Sequence, residues 1–229
     1  MTFEVSLRLI EVLLGFAIAQ QSAEHMMREM DSRAIFALRL MCGVLLMTGI
    51  ATLPVLLALV MIGLWMLHRF NGPYNGGSDK MTTLVLWCLT AAHLAPTGFW
   101  SEMCLAYLGL QLVLSYFVSG QVKITNPAWR NGHALTDVFA FSAYPVAENL
   151  RHLAQRPALM RVGSWAVIGF EVLFPLSLLH PFALFGALAV AAGFHFANAC
   201  LFGLNRFFWA WISAFPALIW LQARIFGFT

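Results

Sequence analysis

The sequence predicts an all-α protein, a polytopic integral membrane helical bundle of about eight transmembrane helices plus one interfacial amphipathic segment. Three observations carry this. Hydrophobic residues make up 61% of the 229 residues and charged residues 10%, with a mean hydropathy of +0.79; a soluble domain carries about 25% charged residues. The apolar residues come in runs near the length of about 20 residues that a helix needs to cross the hydrocarbon core. Polar breaks separate the runs, and the alternating segments of about ten residues that build a β-barrel are absent. The chain is therefore expected to form one transmembrane domain over residues 1–229.

The elements follow in order. A first helix over about 3–26 contains Glu11, Gln20, Gln21 and Glu24. It lacks a basic n-region and a small-residue cleavage site, so it reads as a retained helix rather than a signal peptide. Helices over about 34–52 and 54–70 follow, the second with Pro54 in its first turn, where the missing N–H costs nothing. Asn71 to Asp79 is dense in turn residues and reads as a loop. Pro96 and Gly98 separate helices over about 81–97 and 101–122, and His180-Pro181 separates 160–179 from 182–203. A last helix is expected over about 205–224. Residues 123–159 differ, mixing Lys123, Arg130, Asp137, Glu148, Arg151 and Arg156 with Leu135, Val138, Phe139, Tyr144, Val146, Leu150 and Leu153. That mixture suits an interfacial helical cap, broken at Pro145.

Assigning loops alternately to two sides places eleven of the thirteen Lys and Arg, Arg39 among them, on one side and only Arg8 and Arg224 on the other. Basic loops stay cytoplasmic. The expected setting is a bacterial inner membrane, with both termini outside and the 123–159 cap in the cytoplasm. The net charge of +3 follows from this bias and from anionic lipid, and calls for no nucleic-acid partner.

Ionisable residues inside spans cost roughly 2.5–3.5 kcal/mol each near a helix centre on insertion scales, so they pair, point inward or line a site. Glu11, His93, Glu171 and His195 fall in expected helices, and Lys123 at the end of one. Lys123 reads either as a snorkelling surface cation or, if desolvated, as a base. His195 and Asn198 are three residues apart, on one helix face, and suit either an interhelical hydrogen bond or a ligand carbonyl. Pro175 frees the carbonyl of Glu171, predicting a kink where the acid sits. Cys42, Cys88, Cys104 and Cys200 are isolated, which disfavours a dithiol redox motif. No metal-ligand spacing joins the histidines, so no metal site is expected.

Tyr116-Phe117-Val118-Ser119-Gly120-Gln121-Val122-Lys123-Ile124, followed by Trp129-Arg130-Asn131-Gly132, resembles the core signature of the vitamin K-dependent γ-carboxylase family, within the broader HTTM (horizontally transferred transmembrane) domain. The family pattern is roughly Y-F-x-x-G-x-x-K, then W-x-x-G. Asn75-Gly76-Gly77-Ser78-Asp79 and Phe194-His195-x-x-Asn198 also look like family elements, so the resemblance covers about 75–205, the membrane core. It implies that Lys123 is a base acting on a hydroquinone, assisted by His93, with His195 a further catalytic candidate. Tyr116, Trp129, Glu171 and Asn198 become cofactor-binding candidates, and the cofactor a quinol or hydroquinone.

Three readings of function follow. The first is a quinol-dependent carboxylase- or oxidoreductase-like membrane enzyme with Lys123 as base. The second is a non-catalytic membrane subunit or assembly factor, whose partners are other integral membrane subunits and lipid. The third is a DoxX/MauE-like redox helper or small transporter, disfavoured by the lack of cysteine pairs and of inverted halves.

Overall fold

A computed structural model describes residues 1–28, 32–69, 77–142 and 145–227, with only the backbone given for 145–147. Among these residues every regular element is helical. The α-helices are α1 (Phe3–Arg28), α2 (Arg33–Thr48), α3 (Thr52–Arg69), α4 (Gly77–Leu94), α5 (Gly98–Thr125), α6 (Pro127–Arg130), α7 (His133–Phe141), α8 (Pro157–Leu173), α9 (Pro181–Phe202), α10 (Asn205–Ile212) and α11 (Phe215–Phe226). Two 3-10 segments, Pro145–Gln155 and Phe174–Leu179, flank α8. The chain divides into two compact units, Met1–Leu110 with Arg206–Thr229, and Gln111–Asn205.

In the first unit, α1 packs on α2, α4 and α11, and α3 bridges α2 and α4. The α1–α2 contact is close because two glycines meet in it. A Cβ on Gly15 would stand 2.6 Å from the Gly43 carbonyl oxygen, and one on Gly43 would stand 2.7 Å from the Gly15 carbonyl oxygen. Small residues of this kind let helix backbones approach. Ile10, Leu14 and Ile18 of α1 and Phe36 and Leu46 of α2 are fully buried. The α2–α3 corner turns at Gly49, with φ +78°, a left-handed conformation that suits glycine. There the Arg8 guanidinium donates to the carbonyls of Leu46 and Met47 in the last turn of α2.

In the second unit, α7 packs on the first 3-10 segment and on α8, while α9 packs on both 3-10 segments. Phe139, Met160 and Phe202 form a small core against which Leu135, Leu150 and Leu153 pack. The apolar residues picked out between the charges of 123–159 are thus partly inner packing. Tyr144 of that stretch lies outside the described residues. So do Asn71 to Gly76 of the expected loop and of the N-G-G-S-D element.

Within each unit some ionisable side chains are buried among the apolar core, while large apolar side chains stand exposed. Glu171 is 4% exposed, His195 3% and Arg39 7%, whereas Phe182 is 83% exposed, Val162 68% and Met61 66%. Water would penalise that surface and hydrocarbon would not. Four segments are long and apolar enough to cross a membrane: Thr52–Arg69, Gly98–Thr125, Pro157–Leu179 and Pro181–Phe202. All four fall on expected spans.

Several sequence expectations need correction. The span expected over 205–224 is two helices, α10 and α11. Pro216 is the cause: its ring clashes with the carbonyl four residues back, that of Ile212, where α10 stops. Pro175 acts in the same way on Glu171, and α8 gives way to a 3-10 turn after Leu173. Gly77, Ser78 and Asp79, expected in a loop, form the first turn of α4, where an acidic residue complements the helix dipole. Arg39, counted among the basic loop residues, lies within α2 and is buried.

Candidate functional site

Helix α5 carries the signature Tyr116 to Lys123, and helical spacing explains which of its residues act together. Ser119 and Lys123 are four apart, on one face. Lys123 Nζ donates to Ser119 Oγ at 2.5 Å and to the two Glu171 carboxylate oxygens at 2.8 and 2.6 Å. Ser119 in turn donates to Glu171 Oε1 at 3.2 Å, which closes a triangle. The ammonium also stands 5.1 Å from the ring centre of Trp129, at cation–π distance.

Gly120 makes this possible. A Cβ there would fall 2.7 Å from the Val172 backbone nitrogen and 2.9 Å from the Glu171 Cβ. Only a glycine lets the α8 backbone come so close to α5, and that approach delivers the carboxylate to the lysine. The 3-10 turn forced by Pro175 begins three residues after Glu171, so the acid sits in the last regular turn of α8.

The second polar contact in this unit lies two turns back along α5. The Tyr116 hydroxyl and His195 Nε2 share a hydrogen bond of 2.9 Å. Both residues are buried, at 2% and 3% exposure. Phe174 packs on the Tyr116 ring at 4.2 Å between centroids, and Phe170 meets the same ring edge-on at 5.7 Å. Seven residues at about 1.5 Å rise place the Tyr116 and Lys123 Cα atoms about 10 Å apart along the helix. Asn198 stands half-buried in the closing turn of α9, where its carbonyl accepts the Leu204 N–H at 3.3 Å.

The structure thus gathers Lys123, Glu171 and Trp129 in one cluster and pairs Tyr116 with His195 in another, both in the second unit. His93 belongs to the first unit, where its Nε2 meets Glu11 Oε1 at 2.8 Å and Arg8 holds the other Glu11 oxygen. Each of the three residues proposed as catalytic has its own polar partner: Glu171 for Lys123, Tyr116 for His195 and Glu11 for His93. Ser119 was not singled out from the sequence, although its position four residues before Lys123 was a usable signal.

Sequence reasoning also missed a polar cluster in the first unit. Arg39 donates to Gln21 Oε1 at 2.8 Å and to Ser22 Oγ at 3.2 Å. Gln21 passes the link on through a 2.6 Å bond to Asp79. The signal was an arginine six residues into an apolar run, opposite the polar end of the first helix.

Neither a protein-family model, nor a curated protein, nor a solved structure matches this chain.

Chemically, the Lys123–Glu171 contact is an ammonium–carboxylate ion pair, with Ser119 bonded to both partners.

Proposed function

We propose that the chain is a multi-pass membrane protein whose second unit holds an intramembrane acid–base site, used on a lipid-soluble hydroquinone. The observation that carries this is the Lys123–Glu171–Ser119 triangle on a helix apolar enough to cross a membrane. Two charges are costly to keep there, and ionisable residues inside membranes mark functional sites. The resemblance of Tyr116 to Gly132 to the γ-carboxylase signature supports the same reading. A bound hydroquinone would supply the reducing electrons. Lys123 passes its ammonium proton to Glu171 and, as the neutral amine, takes the proton of the hydroquinone hydroxyl, while the Tyr116–His195 pair offers a second polar contact on the same stretch of α5.

In this reading α1, α2, α4 and the α10–α11 pair complete a bundle of about eight membrane passes. Exposed apolar residues on the shorter helices, such as Leu38, Met41 and Val44 of α2 and Trp87 of α4, support it. The loop charge bias supports a cytoplasmic face for the cap 123–159. A bacterial inner membrane remains the proposed setting.

Reconstituted protein supplied with a reduced quinone and oxygen tests the proposal, with oxygen uptake as the readout. Lys123→Met should lower turnover by a factor of at least about a hundred, the size of a typical general-base contribution. Wild-type turnover by a folded Lys123→Met variant would remove Lys123 from the chemistry.

A non-catalytic membrane subunit is the second reading, and one observation favours it. Lys123, His93 and His195 each already have a polar partner inside the protein. A stoichiometric partner retained in mild detergent, together with undiminished complex in Lys123→Met/Glu171→Leu, would support this reading over the enzymatic one.

A further inference from the structure

A groove of about 1140 Å³ runs along α4 in the first unit, walled by Leu84, Trp87 and Ala91 of that helix and by Trp100, Met103 and Tyr107 of α5. Its lining is apolar except at one end, where Asp79, Lys80 and Thr83 stand. A second cavity, of about 50 Å³, shares Leu67, Asp79 and Thr83 with the groove and adds Arg39 and Thr82. The two spaces meet at the same three side chains. A long apolar trough and a small polar chamber are thus neighbours at the same three side chains.

The chamber is built around a buried charge. Arg39 is 7% exposed. A guanidinium has five N–H donors in a planar fork. The bonds to Gln21 and Ser22 place two of them, leaving donors for whatever fills the cavity that Arg39 lines. Asp79 is linked to Arg39 through the neutral Gln21 amide. Lys80 stands exposed at the mouth. Two cationic side chains and one carboxylate leave the polar end one positive charge in excess. From Asp79 to Leu94 the α4 wall extends about 22 Å at about 1.5 Å rise per residue. That length matches a long acyl chain, and the chamber has room for a head of a few heavy atoms.

We infer that this trough and chamber bind a long-chain carboxylic acid, with its carboxylate at Arg39, Thr83 and Lys80 and its chain along α4 against Trp87 and Trp100. A planar carboxylate matches the guanidinium fork, supplies the missing negative charge, and is small enough for the chamber. Ordinary bilayer lipid would fill the groove without needing the chamber. The inference is independent of the Lys123 cluster, because every residue it uses belongs to the first unit.

Photolabelling of the full-length protein in detergent with a diazirine analogue of palmitic acid tests it, with competition by palmitate and by methyl palmitate. Label should fall on peptides from α4 and the start of α5. Palmitate should compete at least about tenfold better than its ester, because charge-assisted hydrogen bonds are lost in the ester. Lys80→Gln, at an exposed position, should weaken palmitate competition by about threefold, as for a rim cation. Ala91→Trp, also exposed, should block the trough and abolish the label. Equal competition by acid and ester overturns the proposal, as does label that survives Ala91→Trp.

Discussion

The two compact units place charge in their interiors in different ways. In the first, partners are shared: Glu11 accepts from both Arg8 and His93, and Gln21 carries the link from Arg39 to Asp79. In the second, Lys123 and Glu171 face each other directly, with Ser119 bridging them. A shared network spreads the loss of any one member over several contacts. A direct pair concentrates it, because removing one partner leaves the other buried and uncompensated. The second unit should therefore be the one most sensitive to single substitutions in its polar interior, whatever its chemistry.

Lys123→Met sets the largest expected effect, about 3–5 kcal/mol of destabilisation from the stranded Glu171 carboxylate. The double variant Lys123→Met/Glu171→Leu should recover most of that loss, since it removes both charges together. Thermal unfolding in one detergent measures both. Equal destabilisation by the single and double variants would mean that the pair is not the source. By contrast, Glu11→Gln in the first unit keeps acceptor and donor atoms near Arg8 and His93 and should cost less than Lys123→Met.

Gly120→Ala comes next. The added Cβ must displace the Val172 backbone, an overpacking penalty of about 1–3 kcal/mol. Gly63→Ala provides the matched control. Nothing lies within 4 Å of a Cβ at Gly63, so helix propensity alone acts there and favours alanine by up to about 1 kcal/mol. Opposite signs for the two variants would locate the effect in the α5–α8 approach. Tyr116→Phe, which removes the hydroxyl that bonds the buried His195 ring, should cost about 1–3 kcal/mol.

Much of this architecture was legible from residues alone. Composition and run length gave the all-helical class and the four helical segments long and apolar enough to cross a membrane, because hydrophobic length is a one-dimensional property. Proline positions were also sufficient in principle. Pro175 was used, and the break after Leu173 appeared where its ring excludes a helical carbonyl. Pro216 was overlooked, and with it the division of the last expected span at Ile212. Pairing was harder. Nothing in spacing along the chain connects Lys123 to Glu171, 48 residues away, or Glu11 to His93, 82 residues away. Those contacts arise from helix packing, which for Lys123 depends on the missing side chain of Gly120. Arg39 was misplaced because charge counting treats each arginine as a loop residue, and an arginine with internal partners escapes that rule.

The smallest expected effect marks the lower limit of the comparison. Arg224 and Glu102 form a 3.1 Å pair in the first unit, but the arginine side chain is 64% exposed. Such a pair is solvated when broken, and screening and side-chain entropy reduce its worth to about 0–1 kcal/mol. Arg224→Gln should shift thermal unfolding least among these variants, and raising the salt concentration should reduce even that difference. The Lys123→Met loss should persist in the same salt series, because ions cannot reach a pair whose side chains are 15% and 6% exposed. If salt erases both differences alike, Lys123 and Glu171 are accessible to solvent ions and the contrast between direct and shared pairing no longer rests on burial.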